Sequence, residues 1–186
     1  MSKSIPAFKT GQPIGDGIGP MVVGKIMLDC EKETIAFQTI LAKTDFDGRK
    51  LFLIKAEGPG STVGRPAEAL ETIVSNSKID AVIMVDAALK MEGEESASVA
   101  CGFGAAIGGI GTERFQIEEI ATQKNIPIFS IVVKQSVKEA ITLMTKQIAE
   151  KSNDVTSQIY EMIKENTKQG QSIVIIGVGN TSGVPQ

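Results

Sequence analysis

Histidine is absent from the 186 residues of the sequence. Ser-His-Asp and Cys-His catalysis and the usual zinc sites are therefore excluded, which leaves carboxylates, lysines and hydroxyls for any chemistry. Cysteine is scarce: Cys30 and Cys101 lie far apart and form no CxxC pair. With no signal peptide visible, they indicate reduced thiols and a cytoplasmic protein.

Long apolar runs and basic blocks are missing too. No apolar run approaches the ~18 residues that a membrane span needs, so we expect no membrane contact. The net charge of −3 is spread along the chain without a basic block, which disfavours nucleic acid as a partner. Neither GxxxxGK(S/T) nor a GxGxxG that opens a helix after a strand is present. Nucleotide-binding fingerprints are thus absent, and any cofactor is unknown.

What the sequence does contain is typical of one globular domain over residues 1–186, with 42% apolar and 22% charged residues. Nearly continuous apolar runs indicate central strands covered on both faces. Strands that alternate with helices predict a three-layer α/β/α domain with a mostly parallel sheet. Strands are expected at 37–43, 50–55, 80–85, 126–133 and 172–176, with a hairpin at Asp47-Gly48 between the first two.

Three helical regions are marked by proline or by a capping box. Residues 20–28 and 66–74 each begin with proline, which is favoured in a first helical turn. Ser136 and Glu139 form a capping box before an apolar stripe over 137–148. A second stripe, over 155–163, is separated from the first by Ser152-Asn153. Both stripes indicate core packing.

Glycine is concentrated in four loops. In open α/β sheets, ligands bind beyond the carboxyl ends of the strands, and at least two of these loops and Asp86 start at such ends. Glycine there either permits tight turns or lets a ligand approach the backbone, and both readings stay open. The loops are 15–20 (GDGIGP), 57–64 (EGPGSTVG), 102–111 (GFGAAIGGIG) and 177–183 (GVGNTSG).

Two aspartates stand out in these surroundings. Asp86 ends an apolar strand and either caps the next loop or performs chemistry. Asp16 comes four residues before a helix and is either an N-terminal cap or a catalytic acid. Glu92 belongs to a solvated charge run or to the site, and Lys90 either lowers the pKa of a neighbouring carboxylate or is a surface lysine.

The residues around both aspartates resemble known enzymes. Residues 16–20 (DGIGP) and the strand that ends at 86–89 (DAAL) resemble the spore germination protease and the hydrogenase maturation endopeptidases. Residues 104–111, a following helix and 126–131 resemble the stretch after the second aspartate of the germination protease. Residues 57–62 (EGPGST) are similar to the acidic-Gly-Gly-Thr loop of the maturation endopeptidases.

One motif stands in a different order from those families. There, a strand that ends in Gly-x-Gly-Asn comes immediately before the Asp-x-x-Gly-Pro loop. Here that strand, 173–181, is at the C-terminus. The resemblance therefore implies a phosphorylase/hydrolase-like fold that is circularly permuted, which requires the chain ends to lie close together.

The resemblance also implies roles. Asp16 and Asp86 match the two aspartates implicated in the germination protease. In the maturation endopeptidases the corresponding acids approach a metal with a histidine that has no counterpart here, so we expect no metal. The GDGIGP motif is also similar to decarboxylating dehydrogenases, whose chains are about twice as long and whose other motifs are missing. The entire chain is similar to an uncharacterised archaeal protein family whose members carry additional N-terminal sequence.

The leading hypothesis is a peptidase or related hydrolase acting on a peptide or small-molecule substrate. Two nearby carboxylates repel, so one keeps a proton at a pH where the other is ionised. The ionised one would take a proton from attacking water, while the protonated one donates to the oxygen or the leaving nitrogen. Backbone N–H groups of the glycine loops, with Asn180 or Thr112, would stabilise the oxyanion.

Two other functions stay open. A non-catalytic domain would bind a small anionic, nucleotide-like ligand through backbone amides at helix N-termini. A scaffold within a homo-oligomer would use its glycines for close packing. The catalytic candidates are Asp16 and Asp86, and the candidates for ligand binding are Gly15, Gly17, Gly19, Glu57, Gly60, Thr62, Lys90, Glu92, Gly108, Gly109, Thr112, Gly179 and Asn180.

Overall fold

The computed structural model describes residues 11–104 and 111–186, and its central element is a seven-stranded sheet. The strand order is β1-β2-β3-β7-β4-β6-β5. Strands β3, β7, β4 and β6 are parallel, whereas β1, β2 and β5 pair antiparallel at the two edges. The strands are β1 (Lys32–Ala36), β2 (Thr39–Phe46), β3 (Arg49–Ala56), β4 (Ala81–Leu89), β5 (Val99–Phe103), β6 (Ile128–Gln135) and β7 (Ser172–Gly177). The sheet is thus mixed, with a parallel centre.

Five α-helices accompany the sheet in the described part of the chain. They are α1 (Ile18–Ile26), α2 (Pro66–Asn76), α3 (Thr112–Gln123), α4 (Val137–Ile141) and α5 (Lys146–Asn166). A short 3-10 turn, Gly15–Gly17, leads into α1. The predicted capping box is confirmed, since Ser136 accepts from the Glu139 N–H and the Glu139 carboxylate accepts from the Ser136 N–H.

Two details of the sequence interpretation are wrong. Ser152-Asn153 does not interrupt a helix, because α5 runs through both residues. Ser152 fits there because its Oγ donates to the Ala149 carbonyl and accepts from Lys25 Nζ. The break between the stripes comes earlier, between α4 and α5. The edge strands β1 and β5 were also not predicted.

The Asp47-Gly48 hairpin is confirmed between β2 and β3. Asp47 has a φ of 47° and Gly48 a φ of 75°, so both central residues are in the left-handed region. That geometry matches the twist of two antiparallel strands joined by a two-residue turn. It also brings β3 into register for pairing with β7.

Apolar side chains form two separate clusters. Ile83 and Val85 of β4 belong to a cluster built with α1 and α5. Val82 and Met84, which alternate with them, belong to a cluster built with α2 and α3. Successive residues of β4 join different clusters because neighbouring side chains of a strand point to opposite faces. The middle strands are therefore apolar without alternation, as their sequence indicated.

The carboxyl ends of the parallel strands share one edge of the sheet. Gly177 is in register with Lys55 of β3 and with Val85 of β4, and Leu89 is in register with Gln135 of β6. The loops after β3, β4, β6 and β7 therefore leave from this edge. Within the described residues, no helix is both long and apolar enough to cross a membrane.

Candidate functional site

Asp86 lies near the carboxyl end of β4 and is only 1% exposed. One carboxylate oxygen accepts a hydrogen bond from the Ala87 N–H at 2.6 Å, and the other accepts from Nε of Arg114. Nη2 of Arg114 also donates to the Ala87 carbonyl at 2.5 Å. The guanidinium therefore binds the strand end at two points and ties the N-terminal part of α3 to β4.

Burial raises the pKa of Asp86 from its ordinary value of 3.8 to about 7. The hydrogen bond and positive charge of Arg114 oppose the rise, the negative charge of Asp16 adds to it, and the Ala87 N–H opposes it. Desolvation therefore outweighs the ion pair. Because the charge of Asp16 acts on Asp86, the two carboxylates lie within electrostatic range of each other.

Asp16 lies on the 3-10 turn and is half-buried. Its Oδ2 accepts a hydrogen bond from the backbone N–H of Asn180 at 2.9 Å, 164 residues further along the chain. Gly179, which has a φ of 139°, packs so closely that a side chain there would collide with the Asp16 carbonyl. The closing turn and the opening loop of the chain thus form one structural unit.

Gly19 explains how this unit reaches β4. A Cβ at this position would collide with the carbonyl oxygens of Val85 and Val178. The first turn of α1 therefore lies directly against the ends of β4 and β7, and only glycine fits. This close approach brings the Asp16 turn beside the strand that carries Asp86.

The loop that follows β3 joins the same unit. The Thr181 hydroxyl lies 2.7 to 3.0 Å from the carbonyl oxygens of Glu57, Gly60 and Thr62 and donates to one of them at a time. The Asn180 amide donates to Ser61 Oγ at 3.0 Å. Three of the four glycine-rich loops are therefore joined, because the 177–183 loop contacts both the 15–20 loop and the 57–64 loop.

The remaining candidates make other contacts. Lys90 Nζ donates to the Glu94 carbonyl. The hydrogen bond from Lys134 is the main cause that lowers the pKa of Glu94, and the hydrogen bond from the Ser136 N–H is the main cause that lowers the pKa of Glu139, while the charge of Lys90 is a smaller cause in both. The pKa of Asp86 has no contribution from Lys90. Glu92 is exposed in the loop after β4, and Thr112 is exposed at the first turn of α3. Gly108 and Gly109 lie outside the described residues.

Arg114 was missed by the sequence interpretation, although it contacts Asp86 directly. A signal was present, because a cation in the first turn of a helix opposes the helix dipole and needs another reason to be there. Gln135 was also missed. It is fully buried at the end of β6, and neither of its amide atoms has a hydrogen-bond partner among the described residues. Gly15 lies against it, since a Cβ there would collide with Gln135 Oε1.

Lys55 is a third buried polar group at this edge of the sheet. Its side chain is fully buried below α1, against Gly24, and its Nζ donates to the Ala56 carbonyl at 3.1 Å. Its pKa is lowered to about 8, chiefly by burial and also by the positive charge of Lys32, while the negative charge of Glu57 opposes the shift. In the sequence, the signal for this buried group is a lysine at the end of an apolar strand.

These observations define an α/β protein that carries a buried aspartate–arginine pair and a second carboxylate at the carboxyl edge of a mixed sheet. The chain belongs to the family described as domain of unknown function (DUF1512), C-terminal, whose model matches residues 14–185. No curated protein matches the chain. In residues 11–104 and 111–186, no group of three or more acidic or cysteine side chains is arranged to hold a metal ion.

Proposed function

We propose that the protein is a hydrolase that cleaves peptide bonds, with Asp16 activating water and Arg114 stabilising the oxyanion. The observation that carries the proposal is the hydrogen bond between the Asn180 N–H and Asp16, a carboxylate whose charge acts on the buried Asp86 that pairs with Arg114. Such a pairing of a carboxylate with a separate cationic group at the edge of a sheet suits attack of water on a carbonyl.

Asp16 has the geometry of the base. Its Oδ2 is held by the Asn180 N–H, and Oδ1 has no hydrogen-bond partner among the described residues. The carboxylate is half-buried, so it is fixed in place yet open to solvent. A water molecule hydrogen-bonded to Oδ1 would lose its proton to Asp16 as its oxygen attacks the carbonyl carbon.

Asp86 has the geometry of an anchor for Arg114. Both groups that hydrogen-bond to its carboxylate are donors, so the arrangement is that of the ionised form. The side chain of Arg114 is 15% exposed, and Nη1 has no partner among the described residues. Arg114 would therefore present Nη1 to the carbonyl oxygen as it gains negative charge. When the tetrahedral intermediate collapses, the proton held by Asp16 passes to the leaving nitrogen.

Activity assays on the single variants Asp16→Asn and Arg114→Gln test this mechanism. We expect each substitution to lower the cleavage rate of a mixed peptide library by about 100-fold or more, as read by mass spectrometry. Asp29→Asn is the matched control, because Asp29 is exposed and follows the C-terminal end of α1, whereas Asp16 precedes its N-terminal end. Unchanged thermal unfolding would show that the variants fold. Full activity in Asp16→Asn would end the proposal.

The pH dependence of the rate distinguishes the two roles of Asp86. As an anchor it must be ionised, so the rate should fall as the pH drops through about 7, where its carboxylate gains a proton and releases Arg114. Asp86→Asn should remove this step from the profile. A rate that instead falls as the pH rises through about 7 would make Asp86 a proton donor.

The fold itself supports a relationship to peptidases. We infer a three-layer arrangement from the two apolar clusters, one shared with α1 and α5 and the other with α2 and α3. We also infer a circular permutation of the germination protease and maturation endopeptidase fold. Support comes from the Asn180–Asp16 hydrogen bond, which joins the Gly-x-Gly-Asn strand end to the Asp-x-x-Gly-Pro loop. Both cysteines are free, which supports a cytoplasmic location.

The second candidate function is binding of a small anionic ligand without catalysis. Arg114 favours it, because a guanidinium with one free edge recognises carboxylate or phosphate groups. A thermal-shift screen with nucleotides and peptides separates the two functions. Stabilisation by a nucleotide that Arg114→Gln abolishes, together with no peptide cleavage, would favour binding over hydrolysis.

A further inference from the structure

A pocket of about 280 Å³ opens beside the loop that follows β3. Its lining residues are Gln38, Glu57, Gly58, Gly60, Ser61 and Thr62. The pocket is formed where the β1–β2 turn meets this loop, since the Glu57 N–H donates to the Gln38 carbonyl at 2.8 Å and Thr62 Oγ1 donates to Gln38 Oε1 at 2.7 Å. These two hydrogen bonds thus hold the walls of the pocket together.

The lining is rich in hydrogen-bond acceptors and carries one charge, that of Glu57. Oε1 of Glu57 accepts from Gln186 Nε2 at 2.9 Å, and Oε2 has no hydrogen-bond partner among the described residues. Lys55, on which the charge of Glu57 acts, is fully buried and donates to the Ala56 carbonyl instead of lining the pocket. A cationic group that entered would therefore find a carboxylate, hydroxyl oxygens and backbone carbonyls.

A single residue links the pocket to Asp16. Asn180 Nδ2 lies 3.0 Å from Ser61 Oγ on the pocket wall, and the Asn180 N–H donates to Asp16 Oδ2 at 2.9 Å. One asparagine side chain spans the gap, so the wall and the carboxylate are within about 12 Å, or roughly three residues of extended chain. A peptide with its scissile bond at Asp16 would therefore place a nearby side chain at the pocket.

We propose that this pocket binds the side chain of a lysine or arginine of the substrate, two or three residues from the cleaved bond, with Glu57 as the residue that determines specificity. This inference rests on the proposed peptide hydrolysis, because it defines the substrate class of the same site. The Glu57 carboxylate supplies the charge, and Ser61 and Thr62 supply neutral acceptors.

The test uses blocked alanine heptapeptides that carry one lysine, moved from position to position, and matched peptides with norleucine in its place. We expect the lysine peptides to bind at least about fivefold more tightly, from fluorescence anisotropy, when lysine is at the correct position. Glu57→Gln should remove this preference. Glu71→Gln, on an exposed helix position away from the pocket, is the control and should retain it.

Binding and cleavage are measured separately, so the two proposals can fail separately. Preferred binding of lysine peptides that depends on Glu57, with no cleavage, would end the hydrolase and leave the cation pocket. Cleavage without lysine preference, or a preference that survives Glu57→Gln, would overturn the pocket and leave the hydrolase. If no heptapeptide binds or is cleaved, the cation pocket is overturned as well.

Discussion

Asp86 combines two features that normally exclude each other. Its carboxylate is almost completely buried, which favours the protonated form, yet both of its oxygens accept hydrogen bonds, which favours the ionised form. The result is a pKa near 7, so modest changes in pH decide its charge. A carboxyl group with a pKa near 7 can control the position of Arg114 through its own charge.

The free energy of unfolding should depend on the titration of Asp86. The folded state holds the Asp86 proton more tightly than the unfolded state, so the contribution of Asp86 is full below pH 4 and is lost as the pH rises to about 7. We expect Asp86→Asn to flatten the pH dependence of the unfolding free energy by about 4 kcal/mol between pH 4 and pH 7.5. Urea unfolding at each pH measures it. An identical slope in wild type and variant would contradict the assigned pKa shift.

At the scale of single residues, the sequence indicated the two aspartates but not the residues that lie beside them. Asp16 stands out because it lies in a glycine-rich loop before a helix, and Asp86 because it follows an apolar run. Arg114 does not, because its contact with Asp86, 28 positions earlier in the chain, depends on how α3 packs. Gln135 and Lys55 are polar residues at strand ends, and only the packed structure shows that they are buried.

At the scale of single elements, α1 connects the site to the sheet. Its first turn touches the ends of β4 and β7 through Gly19, and its later residues Val22 and Val23 are fully buried. Farther along, a Cβ added at Gly24 would lie 3.3 Å from the flexible stem of Lys55. The two glycines of one helix therefore face different neighbours, backbone in one case and a side chain in the other.

Alanine substitutions at these glycines should have opposite consequences. Gly19→Ala should destabilise the protein by about 3 kcal/mol or more, because its Cβ meets two backbone carbonyls that have nowhere to move. Gly24→Ala should lie near neutral, since a gain of up to about 1 kcal/mol in helix propensity offsets a small shift of Lys55. Thermal and urea unfolding compare them. Equal losses would show that the close approach of α1 to β4 is wrong.

Strands and helices with strong periodicity were predicted well, whereas edges and breaks were not. The sequence predicts the centres of β3, β4, β6 and β7 because strands that are covered on both faces have continuous apolar runs. β1 is largely exposed and carries charged residues, so its sequence does not distinguish it from a loop. The fit of Ser152 inside α5 depends on Lys25 from a distant helix, which no local pattern contains.

At the scale of the whole molecule, the last strand along the chain is also a central one. β7 lies between β3 and β4 and pairs with both in parallel. Beyond it, Gly183 packs so closely on Gln12 and Pro13 that a side chain would collide with their backbone. The closing turn is therefore beside the beginning of the described chain, which is the condition that the proposed circular permutation requires.

A rearranged chain tests that condition. Joining Gln186 to Met1 and opening the chain between Gln169 and Gly170 would start the protein just before β7 and leave the pairing of β7 with β3 and β4 intact, since Gly170 is exposed with open space around it. We expect this variant to fold with a melting temperature within about 5 °C of wild type. Opening between Ile83 and Met84, inside β4, is the control and should prevent folding. Failure of the first variant would contradict the adjacency of the ends.

The central place of β7 has a consequence for synthesis of the protein. Until that strand leaves the ribosome, the nascent polypeptide consists of two half-sheets with no partner between them, and the Asp16 turn lacks the Asn180 amide that orients it. The acid centre is consequently completed only after Asn180 has been synthesised. A product that ends before β7 would carry both aspartates without the Asn180 N–H that holds Asp16.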